Sequence, residues 1–155
     1  MPRFYPQAVP PALPLPHMDT DTSLAALFAA SFLAATLLPG GSEAVLFGVL
    51  KLHPDSVGPA LAVATAGNTL GGMSSWLIGR LLPREPLPAR LAPYAGTLAR
   101  LQRYGSPALL AAWVPIVGDP LCVAAGWLRV NPWQAAAFMA LGKAARYAVI
   151  AAAAA

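Results

Sequence analysis

Four charges sit where this chain otherwise keeps charge away. Glu43 follows Pro39, Gly40, Gly41 and Ser42 at a break between apolar runs, and Asp119 follows Pro115, Ile116, Val117 and Gly118 at another. Lys143 and Arg146 lie three residues apart within an otherwise apolar stretch, on one side of any helix it forms. Carboxylates and cations in such surroundings can pair, carry protons or hold the charged end of a ligand. Translocon scales put Lys, Arg or Asp at the centre of a membrane helix at about 2.5–3.5 kcal/mol each, so all four are expected to turn away from lipid. The arrangement this predicts is a polar cavity in which Glu43 and Asp119 oppose Lys143 and Arg146, with Asn68 and Tyr147 as hydrogen-bond partners. A competing reading makes the same charges ion-paired glue between helices, with no part in transport. Proton coupling would fall to a carboxylate that lacks a cationic partner.

The composition supplies the membrane. Of 155 residues, 57% are hydrophobic and only 10% charged, far below the roughly 25% charged of a soluble domain. Mean hydropathy is +0.60, and the apolar residues run along almost the whole length. A disordered chain, a disulfide-stapled module and a cysteine-based zinc site are excluded, the last two because Cys122 stands alone. The net charge of +4 is scattered among apolar runs and makes no phosphate-tracking stripe, so nucleic acid is not an expected partner; membrane lipids are. No Walker loop, dinucleotide fingerprint, HExxH or GxSxG element occurs, and no enzyme activity, cofactor or metal is expected. His17 and His53 lie in a tail and a proline turn, and Cys122 reads as a small packing residue.

Residues 1–23 carry six prolines and end in Asp19-Thr20-Asp21-Thr22-Ser23, which predicts a flexible tail with Ser23 as the cap of the first helix. A signal peptide is the competing reading, opposed by the intervening prolines and acids. The run 24–38 has 15 residues, roughly 22 Å of helix, short of a hydrocarbon core of about 30 Å. It breaks at Pro39 and Gly40 and resumes over 44–52, so 24–52 reads as a re-entrant hairpin, the alternative being two soluble-type helices joined by a turn. Residues 60–79 carry no formal charge and are long enough to span. Within them Gly67, Gly71, Ser75 and Gly79 form a stripe of small residues at every fourth position, expected to pack against another helix of the same chain.

The segment 80–105 holds five arginines against one glutamate and is the water-facing loop, expected on the cytoplasmic side. Its end, 97–104, fits either an interfacial helix, with Leu98 and Leu101 opposite Arg100 and Arg103, or a solvated loop. Residues 106–128 repeat the short run, break and short run, and 133–155 make a second full span. The two breaks share one pattern: proline, two residues, a small residue, an acid, offset throughout by 76 residues from Pro39 to Pro115 and from Glu43 to Asp119. The fold expected is therefore an all-α integral membrane protein, an inverted repeat of two re-entrant helix hairpins packed with transmembrane helices.

The motifs carry a resemblance. Leu37-Leu38-Pro39-Gly40-Gly41-Ser42-Glu43, Gly67-Asn68-Thr69-Leu70-Gly71-Gly72, Trp113-Val114-Pro115-Ile116-Val117-Gly118-Asp119, Ala125-Gly126-Trp127-Leu128-Arg129 and Gly142-Lys143-Ala144-Ala145-Arg146-Tyr147 occur in one order between about residues 31 and 149. Together they closely resemble the YqaA branch of the DedA superfamily, whose shared unit is called the VTT or SNARE-associated domain. The resemblance implies a bacterial inner-membrane protein with two opposed re-entrant hairpins, in a superfamily linked to lipid movement between leaflets and to envelope homeostasis. It also implies that Glu43 is the acid of the first hairpin. The second hairpin departs from the wider family, whose arginines around this break fall here on Ala112 and Gly118, leaving Lys143, Arg146 or Arg129 to supply a phosphate-binding charge. The expected function is a lipid transporter or flippase for a phospholipid or polyprenyl phosphate, with Glu43 and Asp119 switching by protonation. The alternative is a homeostasis factor that binds lipids or partner proteins without moving them.

Overall fold

A computed structural model describes residues 19–36, 41–83, 93, 95–114 and 117–154. The proline-rich segment before Asp19 and the breaks at Pro39, Gly40 and Pro115 lie outside the described residues. Six α-helices, α1 (Thr20–Ala34), α2 (Gly41–Leu52), α3 (Val57–Leu81), α4 (Ala95–Tyr104), α5 (Gly118–Trp127) and α6 (Pro132–Ala154), make up the described chain with 3₁₀ segments at Pro54–Ser56 and Ser106–Trp113.

Helix α1 starts earlier than the composition indicates. Asp19 caps it, its carboxylate accepting the Thr22 N–H at 3.2 Å, and this satisfies a donor the first turn leaves free. Ser23, expected as the cap, is instead buried, with its hydroxyl 3.1 Å from His53 Nε2. His53 Nδ1 also lies 3.4 Å from the Thr20 hydroxyl. One imidazole thus ties the end of α2 to the start of α1, so the two run antiparallel. At the other end of the chain Asn131 caps α6 by accepting the N–H groups of Trp133 and Gln134 at 3.0 and 3.2 Å, with Pro132 at the position where a missing donor costs nothing. Helix α5 closes through the Val130 N–H on the Ala125 carbonyl and the Arg129 N–H on Gly126, with Arg129 itself left-handed at φ 57°.

Helix α3 is the axis of the packing. Its small-residue stripe faces α1 over most of its length: a Cβ on Gly67 would lie 2.7 Å from the Phe28 carbonyl oxygen, and one on Gly71 would crowd Phe32 O and Ala35. Ser75 donates its hydroxyl to Ala35 O at 3.3 Å. At Gly79 the neighbour changes to α5, where a Cβ would fall on the Val123 carbonyl, and Gly126 reciprocates against the Trp76 carbonyl. Neither helix has room for a side chain at that crossing, so the peptide planes themselves are in contact and dispersion holds them.

Helix α4 confirms a helix within the basic segment and corrects where it points. Leu98 and Leu101 are buried against Trp76, Leu109 and Leu121, while Arg100 and Arg103 are exposed. The apolar side covers protein rather than lipid. Among the described residues one helix, Pro132–Ala153, is long and apolar enough to cross a membrane, with a mean hydropathy of 1.3. Helix α3 has the length, at 25 residues, but its Asn, Ser, Thr and Gly residues dilute its hydropathy.

Candidate functional site

Helix α6 brings its two cations to different surroundings. Lys143 is only 2% exposed. Its ammonium donates to the Asn68 backbone carbonyl at 2.6 Å and to the Asn68 Oδ1. Asn68, on α3, spends its own Nδ2 on the Ser31 carbonyl of α1 at 3.0 Å. A chain of bonds therefore runs α1–α3–α6 through one asparagine. Gly72 leaves the space the ammonium occupies, since a Cβ there would stand 3.1 Å from Nζ and 3.4 Å from the Cys122 Sγ. Cys122 is buried, with its thiol 3.7 Å from Met139 Sδ.

One turn further, Arg146 is more open. Its Nη2 pairs with Glu43 Oε1 at 2.5 Å, with side-chain exposures of 15% and 28%. Its Nη1 donates to the Trp113 carbonyl at 3.5 Å, and its guanidinium lies 5.5 Å from the Tyr147 ring centre. Arg146 therefore touches two arms: the first, α1 with α2, through Glu43, and the second, the 3₁₀ segment Ser106–Trp113 with α5, through the Trp113 carbonyl. The Arg146 Nε is buried without a hydrogen-bond partner among the described residues. Tyr147 is fully buried and donates to Ser42 Oγ at 3.0 Å.

Asp119 opens α5 and is half-buried. Lys143 and Arg146 are the cations whose field acts on it. Among the described residues its carboxylate makes neither a hydrogen bond nor an ion pair. The start of α5 rests on the second arm, where a Cβ on Gly118 would lie 2.6 Å from the Ala112 carbonyl oxygen. Trp113, Val114 and Val117 are exposed beside it.

The six residues named for a cavity thus divide. Glu43 meets Arg146, and Asn68 meets Lys143, but Lys143 is sealed away from solvent instead of facing an open cavity, and Tyr147 meets a serine rather than an ion. Asp119 lies in the field of both cations and, among the described residues, bonds to neither. Sequence reasoning missed Ser31, Ser42 and Trp113. Ser42 adjoins Glu43 in the break and could have been named, whereas Ser31 and Trp113 contribute backbone carbonyls, for which no side-chain type gives a signal. Among the described residues no three His, Cys, Asp or Glu side chains gather as a metal site. What the arrangement offers is charge recognition and proton binding in apolar surroundings.

Comparison with known proteins identifies relatives of the chain. The chain is 43% identical over 136 residues to the inner membrane protein YqaA of Escherichia coli K12, covering 88% of this chain and 94% of that protein. The Shigella flexneri protein of the same name matches equally. An uncharacterized protein of Haemophilus influenzae is 39% identical over 137 residues, covering 83% of this chain and 85% of that one. No family model matches the chain, and no solved structure resembles it.

Proposed function

The chain belongs to the YqaA branch of the DedA family, and from that premise we propose that it is a multi-pass inner-membrane protein that moves a lipid between leaflets, a phospholipid or a polyprenyl phosphate, and catalyses no covalent chemistry. The E. coli and Shigella relatives are inner membrane proteins by name. In this reading the two short-armed units are re-entrant hairpins of an inverted repeat, α3 and α6 span the bilayer, and the basic segment 80–105 lies in the cytoplasm.

The observation that carries the reading is Arg146. It sits in the span-length helix, bonds to both arms through Glu43 and the Trp113 carbonyl, and is bordered by a half-buried Asp119 that has no bonded partner among the described residues and by exposed Trp113, Val114 and Val117. Charge rimmed by apolar side chains suits an amphiphile. Proton coupling, on the same reading, belongs to Asp119, because Glu43 already has its cation.

Reconstitution into vesicles with a leaflet-accessibility assay tests the proposal: headgroup movement is expected above protein-free vesicles and is expected to fall when Asp119 is changed to Asn. The sealed Asn68–Lys143 network favours a second reading, a lipid-binding or partner-binding envelope factor that moves nothing. No movement for any lipid class would establish that alternative. Orientation is checked by labelling a cysteine introduced between residues 84 and 92, which is clean because the native Cys122 is buried; reaction from outside would overturn the cytoplasmic assignment.

A further inference from the structure

Lys143 is held by less than it can bind. An ammonium carries three hydrogens, and among the described residues both acceptors of this one belong to Asn68, the backbone carbonyl and Oδ1. The residue is only 2% exposed, so the third hydrogen has little recourse to water. Asp119 has the converse shortage, a half-buried carboxylate with no bonded partner among the described residues. Each group lies in the field of the other, and of the two cations that act on Asp119, Lys143 acts the more strongly. Arg146 is not the competitor, because Glu43 holds it.

Gly72 lies between them. A Cβ there would stand 3.1 Å from Lys143 Nζ, 3.3 Å from Met139 Sδ and 3.4 Å from Cys122 Sγ. The ammonium, bonded to α3, therefore faces α5 across a glycine hydrogen instead of a methyl group. Cys122 and Asp119 are three residues apart on α5 and share one side of it, where Cβ atoms at that spacing are about 5–6 Å apart. The two acceptors open to Lys143 are also balanced against each other. A carboxylate is a stronger acceptor for an ammonium than an amide oxygen is. Pairing with it, however, takes a half-buried charge out of water, and the two contributions oppose each other.

We propose that Lys143 is a two-position cation, bonded to Asn68 in one arrangement of the helices and to Asp119 in another, its flexible stem swinging past Gly72 between them. On Asn68 it ties α6 to α3 and, through the Asn68 bond to the Ser31 carbonyl, to α1. On Asp119 it ties α6 to α5 and releases Asn68. The span-length helix thus transfers its attachment from the side of the first arm to the second by moving one side chain, whether or not the protein moves a lipid.

The chain has two lysines, Lys51 and Lys143, which makes the swing observable. In detergent-solubilised protein with lysine isotopically labelled at Cε and Nζ, the Lys143 resonance is followed by NMR and assigned through Lys51→Arg. Asp119→Asn is expected to shift it one way, towards the Asn68-bound position, and Asn68→Ala the opposite way. Gly72→Ala, whose methyl group fills the passage, is expected to abolish the response to Asp119→Asn. A resonance that Asp119→Asn leaves unmoved, or shifts of the same sign from Asp119→Asn and Asn68→Ala, would overturn the proposal. So would a response to Asp119→Asn that survives Gly72→Ala, since it would reduce the relation to the fixed field of one charge on another. If Asn68→Ala does not fold, Asp119→Asn with and without Gly72→Ala decides alone, loss of the response supporting the swing and survival excluding it.

Discussion

The two acid-bearing breaks share one spacing of proline and carboxylate, yet the acids end differently. Glu43 meets a guanidinium at 2.5 Å, while Asp119 has no partner among the described residues. The arms differ as well. The first pairs two α-helices pinned together by His53, and the second pairs α5 with the eight-residue 3₁₀ segment Ser106–Trp113. One spacing in sequence thus holds two acids in different surroundings: Glu43 is closed by its salt bridge, and Asp119 is without a bonded partner among the described residues.

The contrast is most forcefully tested at the second arm. Gly126→Ala would drive a methyl group onto the Trp76 carbonyl, and overpacking against backbone is expected to cost about 3 kcal/mol or more. Gly48→Ala in α2, where a Cβ meets nothing within 4 Å, is the control and is expected to gain about 0.5–1 kcal/mol. Thermal melts in detergent compare the two; similar melting temperatures would mean that α3 and α5 do not touch as described.

A double-mutant cycle measures the difference between the acids directly. Glu43 with Arg146 is expected to show a coupling of about 1–3 kcal/mol, the pair being only partly exposed, whereas Asp119 with Arg146 should show a few tenths. Equal couplings would erase the distinction. At the base of the first arm, His53→Ala removes both hydroxyl contacts and is expected to cost about 1 kcal/mol, with faster hydrogen exchange confined to the start of α1.

The smallest effect concerns the cap of that same helix. Hydrogen bonds from the Thr22 side chain and backbone hold the Asp19 carboxyl below its ordinary value. Its folded value lies below its unfolded one, so the cap stabilises α1 above the ordinary aspartate range near 4 and is lost only as the pH falls through the lowered folded value. Asp19→Asn, which keeps a capping oxygen without the titration, should flatten that acid limb in a pH series of α1 helicity.

Much of this arrangement was legible in the sequence. The span expected from residue 133 falls within a residue of the start of α6, because Asn131 and Pro132 act locally. The stripe from Gly67 to Gly79 marked a close helix contact, and the charges of α6 marked groups that turn inward. The start of α1 was hidden because acids and threonines read as tail until Asp19 is seen as a cap. The 3₁₀ geometry of residues 106–113 was hidden too. Its apolar run has no distinguishing period, and the tighter coil occurs where α6 presses Gly142 onto the Leu110 carbonyl. The sealing of Lys143 depends on Gly72 and on a backbone oxygen, neither of which announces a cation partner.

The crossing of α3 and α5 at Gly79 and Gly126 has a mechanical meaning. Helices that interlock through side chains must lift knobs out of holes before they can turn, but here nothing is interdigitated at the point of contact. Such a joint sets the distance between the two axes by backbone alone, so any side chain at Gly79 or Gly126 pushes the helices apart. Helix α1 is held to α3 differently, by the Asn68 and Ser75 hydrogen bonds.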